Sequence, residues 1–358
     1  PSVRAISGNV TSYFIIKNDS IFEITFDLSD TLTVDSVLYN NHSVSFNHIN
    51  DILTVHLTDT LYTNDFDSVS VYYHGVPRVD DNRTFGQALQ DTTNYPVPVI
   101  WTLSEPYGAK EWWPCKQNLN DKIDSIDIII TMPDQYKAAS NGVIISENIN
   151  GSDKTVHWKH RYPIAAYLIA IAVTEYTEFS WYAHLKSGDS LEILNYCYPV
   201  DIQNWDYRDD VIRYIEFFDS LFTDYPFAEE KYGHAQFSWG GGMEHQTMSF
   251  MVGLHPELVS HELAHMWFGD YITCGSWEDI WLNEGFATYL SGLVYNFIGT
   301  IYWDDWRMVR LEDITSEPDG SVFCTDTTLV ERVFSGRLSY AKGAYLLHML
   351  RWETGDSL

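Results

Sequence analysis

Short runs of β-branched and aromatic residues, separated by Asn, Asp and Gly, dominate the first 200 residues. The runs "SYFIIKND", "IFEITFDLS", "ILTVHLTD" and "SVSVYYHG" have the length and composition of strands. Two denser apolar runs, "IDIIITMP" and "YLIAIAVTEY", predict buried strands. Because no fixed period repeats, the pattern predicts an all-β saddle or sandwich over residues 1–200.

After residue 200, apolar residues recur at helical spacing. In "RDDVIRYIEFFDSLF", Val211, Ile215 and Phe218 fall on one stripe. Three further helices are predicted in "PELVSHELAHMWFG", which ends at Gly269, in "EDIWLNEGFATYLSGLVYNFIG" and in "LSYAKGAYLLHMLRWE". The strand-like run "HAQFSW" precedes the first of these three. Residues 201–358 are therefore predicted to form a second domain of the α+β class.

Composition and charge narrow the possible partners. The chain has 358 residues, of which 45% are hydrophobic, so two cores are possible. A formal charge of −29 argues against nucleic acid and anionic lipid as partners, and it would attract cationic groups such as peptide amino termini. The absence of an eighteen-residue apolar run argues against a membrane span. The four cysteines contain no C-x-x-C pair, which leaves both disulfides and free thiols open.

The segment "HELAH" carries the clearest chemistry. Positions four apart lie on one face of a helix, so His261 and His265 can offer two imidazole nitrogens to one ion. Glu262 flanks the same face and can reach a water on that ion, as expected of a general base. Glu284, on the next helix, is the candidate third ligand, and three ligands leave one position of a zinc ion open. The sequence therefore predicts one catalytic Zn²⁺ per chain.

"HELAH", followed by eighteen residues and then Glu284, resembles the zinc aminopeptidase family of aminopeptidase N and leukotriene hydrolase. The resemblance covers essentially the whole chain. It implies an N-terminal β domain at residues 1–200 and a thermolysin-like α+β zinc catalytic domain at residues 201–358. It also implies that this catalytic domain is incomplete and that a helical C-terminal region follows in a longer parent chain.

The resemblance also assigns substrate-binding residues. "GGGMEHQTMSF" is similar to the family's Gly-x-Met-Glu-Asn motif, with Gly241, Gly242, Met243 and Glu244 in its first four positions. The family uses this glutamate to bind the free α-amine of the substrate, which suits a buried carboxylate. His245 stands where Asn is usual, and the resemblance implies that it contacts the substrate backbone.

Two further segments carry the resemblance. "SYAKGAYLL" resembles the family's Tyr-Glu-Lys-Gly segment, so Tyr340 corresponds to the tyrosine that stabilises the tetrahedral intermediate, while Ala341 replaces the usual Glu. "TLSEPYGAKEWWPC" resembles the first-domain segment that reaches the active site. Glu105 in that segment is similar in position to the family's second amine-binding residue.

Together these features imply a metallo-aminopeptidase that removes N-terminal residues from peptides by attack of a metal-activated water. Three alternatives stay open: a thermolysin-like endopeptidase, a catalytically silent peptide-binding fragment and an epoxide hydrolase. Secretion or a periplasmic location is expected by analogy with related bacterial enzymes. The sequence leaves open the preferred first residue of the substrate, the oligomeric state, the cysteine pairing and the activity of the fragment.

Overall fold

The first half of the chain is built almost entirely from strands. A computed structural model describes residues 5–78, 84–90 and 96–355. The strands up to residue 174 are β1 (Ile6–Ile15), β2 (Ser20–Asp27), β3 (Leu32–Tyr39), β4 (His42–Ser43), β5 (Phe46–Ile49), β6 (Ile52–Tyr62), β7 (Phe66–Gly75), β8 (Phe85–Gln90), β9 (Val97–Thr102), β10 (Ile126–Pro133), β11 (Lys137–Ser140), β12 (Val143–Asn150), β13 (Asp153–His160) and β14 (Ile171–Thr174). They form sheets with the strand orders β1-β7-β3-β4, β2-β6-β5, β10-β13-β12 and β11-β14-β9-β8.

Local sequence explains several of these strands. Asn50 and Asp51 connect β5 to β6, and both have positive φ angles, of 56° and 60°. Asn and Asp tolerate this conformation in the two-residue turns of hairpins. The run "YLIAIAVTEY" is buried as predicted, although only Ile171–Thr174 is a strand. The prediction of a buried strand at "IDIIITMP" is wrong, because β10 alternates and Ile129 is 64% exposed.

A five-stranded mixed sheet connects the two halves of the chain. Its strands are β15 (Thr177–His184), β16 (Ser190–Cys197), β17 (Tyr232–Gln236), β18 (Gly242–Met243) and β19 (Ser249–Met251), in the order β15-β16-β17-β19-β18. The β16–β17 and β17–β19 pairs are parallel. A helix joins β16 to β17, as parallel neighbours require. The boundary predicted at residue 200 thus lies inside this βαβ unit, and it stays a prediction.

Helices form most of the remaining second half. They are α1 (Arg208–Leu221), α2 (Pro256–Ala264), α3 (Trp281–Ile298), α4 (Thr300–Thr315), α5 (Val330–Val333), a π-helix (Gly336–Lys342) and α6 (Gly343–Thr354). The four predicted helices correspond to α1, α2, α3 and the π-helix with α6. The predicted end of α2 at Gly269 is wrong, because the helix ends at Ala264 and tight turns follow. No helix in the described part of the chain is long and apolar enough to cross a membrane.

Two apolar cores hold these layers together. The larger core joins residues of the first four sheets to Cys274, Trp277 and Ile280 in the loop before α3. The smaller core packs α1, α2 and α3 around the mixed sheet. The loop between α2 and α3 is therefore anchored in the first half of the chain, while both helices are anchored in the second. All four cysteines are buried and free.

Candidate active site

Helix α2 and the turn after it place two imidazole rings side by side. The Nε2 atoms of His261 and His265 are 3.1 Å apart. His265 is 1% exposed, and its Nδ1 lies 3.0 Å from the carbonyl oxygen of Phe268. A proton on Nδ1 would donate to that carbonyl and leave the Nε2 lone pair free for an ion.

Glu284, in the first turn of α3, completes a compact donor set. Its Oε2 lies 3.2 Å from Nε2 of His261 and 3.4 Å from Nε2 of His265. Ligands bound at ordinary distances to one tetrahedral ion are roughly 3.4 Å from each other. Burial alone would raise the pKa of Glu284, but the contacts and charges of the two histidines together outweigh it and lower the pKa to about 2. These three residues therefore fit a metal ion.

Glu262 lies beside this donor set, on the same turn of α2 as His261. It is 4% exposed, and its Oε2 is buried without a hydrogen-bond partner. Burial, followed by the negative charge of Glu244, raises its pKa well above the usual range. The backbone of Gly242 packs so closely against this carboxylate that a Cβ built on Gly242 would lie 2.4 Å from Oε1 of Glu262. A carboxyl group with a raised pKa next to a metal site is suited to accept and return a proton.

Two further carboxylates face the donor set from outside α2 and α3. Glu244 directly follows the edge strand β18, and Glu105 lies in the loop after β9, in the first half of the chain. They are 3% and 9% exposed, and each has a buried Oε1 without a partner. Carboxylate oxygens of Glu105, Glu244 and Glu284 all lie within 4.8 Å of one another. Because unpaired buried carboxylates are costly, this cluster favours a bound cation.

Tyr340 reaches the site from the π-helix. Its ring stacks on His261, with centroids 5.8 Å apart and an interplanar angle of 15°. Burial and the negative charge of Glu284 raise its pKa well above the usual range, so the phenol keeps its proton. Single π-turns inside helices often occur at functional sites. Tyr340 can therefore act as a hydrogen-bond donor near the metal ligands.

Gly285 and Gly343 bring α3 and α6 unusually close together. A Cβ on Gly285 would lie 2.8 Å from the carbonyl carbon of Gly343, which a real side chain could not occupy. The two glycines directly follow Glu284 and the π-helix, respectively. Their contact therefore sets the distance between Glu284 and the segment that carries Tyr340.

Other predicted substrate-binding side chains lie in the core. Met243 is 3% exposed and belongs to the larger core. His245 is fully buried, its ring packs 4.4 Å from that of Phe250, and burial lowers its pKa to about 3. His245 is thus neutral, and its role in binding substrate stays a prediction. The two backbone positions Gly241 and Gly242 lie at the edge strand, next to Glu244.

Sequence reasoning did not single out Asp270. This residue is fully buried, and both of its carboxylate oxygens lack a hydrogen-bond partner. Burial and the charge of Glu244 raise its pKa well above the usual range. The backbone N–H of Asp270 donates to the carbonyl of His265 at 3.0 Å, which fixes it beside the metal ligands. Asp270 directly follows Gly269, shortly after the two histidines, and this position was the one sequence signal that could have identified it.

Comparison with known proteins agrees with this site. Residues 208–358 match the sequence model of the Peptidase family M1 domain. The chain is 29% identical over 288 residues to glutamyl aminopeptidase of Rattus norvegicus and 30% identical over 288 residues to that of Mus musculus. Each match covers 71% of this chain and 29% of the relative. The chain therefore spans less than a third of the length of these relatives.

A solved structure agrees over the whole chain. A substrate-bound mutant of the M1 zinc metallopeptidase of Deinococcus radiodurans superposes with a TM-score of 0.85 at 23% identity, covering 100% of this chain and 81% of the other. This likeness confirms the predicted fold, a β-rich first part followed by an α+β domain. Residues 208–358 are thus similar to the Peptidase family M1 domain, and the arrangement of His261, His265 and Glu284 agrees with that match.

Proposed function

We propose that this chain carries the catalytic centre of a zinc-dependent aminopeptidase. The observation that carries the proposal is the meeting of two buried carboxylates, on Glu105 and Glu244, each with one oxygen that lacks a hydrogen-bond partner, with the donor set of two histidines and Glu284. A metal site alone would suit many hydrolases. The two buried carboxylates beside the metal site supply the specific feature, because their unpartnered oxygens can bind an α-ammonium group.

The donor set fits zinc. Two imidazoles and one carboxylate are a usual ligand set of catalytic zinc sites, which keep a further position open. Zinc held by His261, His265 and Glu284 would lower the pKa of a bound water toward ~7 and polarise the scissile carbonyl. The relatives named glutamyl aminopeptidase and the M1 zinc metallopeptidase of Deinococcus radiodurans support both the metal and the reaction class.

Each remaining residue has a separate task in this proposal. Glu262 takes the proton of the attacking water and returns it to the leaving amine. Tyr340 donates a hydrogen bond to the oxygen on which negative charge develops. Glu105 and Glu244 bind the α-ammonium, so cleavage falls after the first residue. Strand β18 lies at the edge of the mixed sheet, so the backbone of Gly242, which follows Gly241, can pair with the substrate backbone.

The Asp/Glu-rich surface supports peptides with a free amino terminus as substrates, since negative potential attracts them. We further propose that the protein is exported to the periplasm or the medium. Cell fractionation with an antibody against this chain would test it. Recovery of the protein with a cytoplasmic marker would contradict it.

The test compares a short peptide that has a free N-terminus with its N-acetylated twin, each with and without a zinc chelator. The proposal expects cleavage of the free peptide alone, its loss with chelator and its return when zinc is added. Equal cleavage of both peptides would favour a thermolysin-like endopeptidase and remove Glu244 from substrate binding. Stoichiometric zinc without any cleavage would favour a silent peptide-binding fragment.

A further inference from the structure

A strained turn lies directly after the proposed amine-binding residue. Residues 245–248 form a turn in which the N–H of Met248 donates to the carbonyl of His245 at 2.8 Å. Thr247, its third residue, has φ +69° and is fully buried. A β-branched residue rarely adopts this conformation, which glycine or asparagine usually fills. The surrounding structure must therefore hold Thr247 in place.

Hydrogen bonds from a buried lysine stabilise this conformation of Thr247. Nζ of Lys231 donates to the carbonyl of Thr247 at 2.9 Å and lies 3.4 Å from both Oγ1 of Thr247 and the carbonyl of Ser140. The three protons of the ammonium group thus have three acceptors. The side chain is 1% exposed, and Nζ lies 5.4 Å from the ring centroid of Trp158. Burial lowers the pKa of Lys231 to about 7, so keeping this group inside the protein is costly.

The rest of the turn is anchored to the first half of the chain. The N–H of Gly142 donates to Oγ1 of Thr247 at 2.8 Å, and Nδ2 of Asn141 donates to the carbonyl of Gln246 at 2.7 Å. Nε2 of Gln246 in turn donates to Nε2 of His160 at 2.7 Å. Both residues at the centre of the turn are therefore bound to the connection between β11 and β12 and to the end of β13, in the first half of the chain, which also carries Glu105.

This anchoring of the turn opposes the repulsion between carboxylates inside the site. Carboxylate oxygens of Glu244 lie within 4.8 Å of those of Glu105 and Glu284, at low exposure, where like charges repel strongly. Crowding of these carboxylates would favour a wider separation of Glu244 from the other two unless the backbone that carries Glu244 is held in place. Thr247 lies three residues after Glu244, within the turn that continues this backbone.

We propose that Lys231 and Thr247 are positioning residues that lock the turn at residues 245–248 and thereby hold Glu244 at the distance from Glu105 that binds a substrate α-ammonium. This inference rests on the proposed function. Neither residue touches the reacting atoms. Lys231 acts through the backbone of Thr247, and its hydrogen bonds compensate for the strained conformation of that residue.

The test measures recognition of the α-amine separately from metal binding. Inhibition constants are determined for leucine hydroxamate, which has an α-amine, and for acetohydroxamate, which has none. Lys231→Met keeps the length of the side chain and removes its three donors. Lys154→Met is the matched control, because Lys154 is 6% exposed and pairs with Glu147 near the connection between β12 and β13, at the opposite end of β13 from His160, which contacts the turn.

We expect Lys231→Met to lower the affinity for leucine hydroxamate, relative to the affinity for acetohydroxamate, by roughly tenfold or more, because small displacements of binding groups are costly. Zinc content and acetohydroxamate affinity stay at the wild-type level, and Lys154→Met changes nothing. The double variant Lys231→Met/Thr247→Gly recovers most of the ratio of these two affinities, since glycine adopts the positive φ without strain. A purely structural lysine would give no such rescue.

A wild-type ratio in Lys231→Met, or no recovery in a folded double variant, overturns the inference. If Lys231→Met does not fold, Thr247→Val serves instead, because it keeps the β-branch and loses the hydroxyl. A ratio within threefold of the wild-type value in that variant also overturns the inference. If wild-type protein itself does not prefer the inhibitor with the α-amine, the proposed function fails, which is a separate outcome.

Discussion

The contact between Gly285 and Gly343 offers a quantitative test of how the site is assembled. A Cβ at position 285 would lie 2.8 Å from the carbonyl carbon of Gly343, whereas ordinary contact begins at 3.4 Å. Gly285→Ala therefore forces the two backbones apart by about 0.6 Å, the difference between these distances. Because Glu284 precedes Gly285 and Tyr340 lies just before Gly343, the separation is transmitted to both.

The two consequences of this change differ in size. Overpacking of this kind costs about 1–3 kcal/mol of unfolding free energy, and the better helix propensity of alanine returns up to ~1 kcal/mol. The net loss of stability should therefore be small. A misplacement of ~1 Å in an active site can cost ~10²-fold in rate, so a shift of about 0.6 Å should lower kcat roughly tenfold.

The assay combines kcat for a free-amine peptide with zinc affinity from chelator competition. Gly343→Ala should have a smaller effect, because its Cβ would lie 3.1 Å from Cα of Gly285. Gly336→Ala is the control, since it starts the same π-helix and its Cβ would meet nothing within 4 Å. Wild-type kcat and zinc affinity in folded Gly285→Ala would show that the contact between Gly285 and Gly343 does not position Glu284 and Tyr340. So would an equal loss in Gly336→Ala.

Three more predictions follow from individual side chains. Glu262→Gln should lower kcat by at least ~10²-fold while one zinc per chain stays bound, and loss of the metal would mean that its role is wrong. Tyr340→Phe should lower kcat by ~10²–10³-fold with little change in KM, as steady-state kinetics would show; a rise in KM alone would contradict the oxyanion role. Although burial raises the pKa of Asp51, the hydrogen bonds from Lys110, the Asp30 backbone and Arg78, together with the charge of Lys110, outweigh it and lower the pKa from 3.8 to about 2. Its stabilising effect is therefore present above pH ~4 and is lost as the pH falls toward 2. Urea denaturation of Asp51→Asn should show a loss of up to ~1 kcal/mol at pH 7 that shrinks below pH 4, and a loss independent of pH would contradict this assignment.

Local spacing made the candidate metal ligands predictable. His261 and His265 are one turn apart on a helix, and that relation holds in any fold that keeps the helix. Glu284 lies on the next helix, and it comes close to the histidines if the chain reverses direction between the two helices. Glu105 lies more than 130 residues before Glu244 in the sequence, so its place beside the site came from the family resemblance and not from spacing.

Tertiary packing decided what the sequence did not reveal. Helix α4 was not predicted, because apolar residues such as Ile301 and Met308 are 68% and 60% exposed and obscure the stripe of its buried residues, Trp303 and Trp306. The βαβ unit across residue 200 looked like a boundary because strands give way to a helix there. The positive φ of Thr247 depends on acceptors and donors that only the folded chain supplies.

The position of bound zinc would decide whether the two histidines and Glu284 form the proposed metal site. Anomalous diffraction at the zinc edge, from crystals grown with one equivalent of zinc, would locate it. The account predicts one peak per chain, about 2.0–2.2 Å from Nε2 of His261, Nε2 of His265 and a carboxylate oxygen of Glu284, with Glu262 outside bonding distance. A peak held instead by Glu105 and Glu244, or no peak at the histidines, would contradict it.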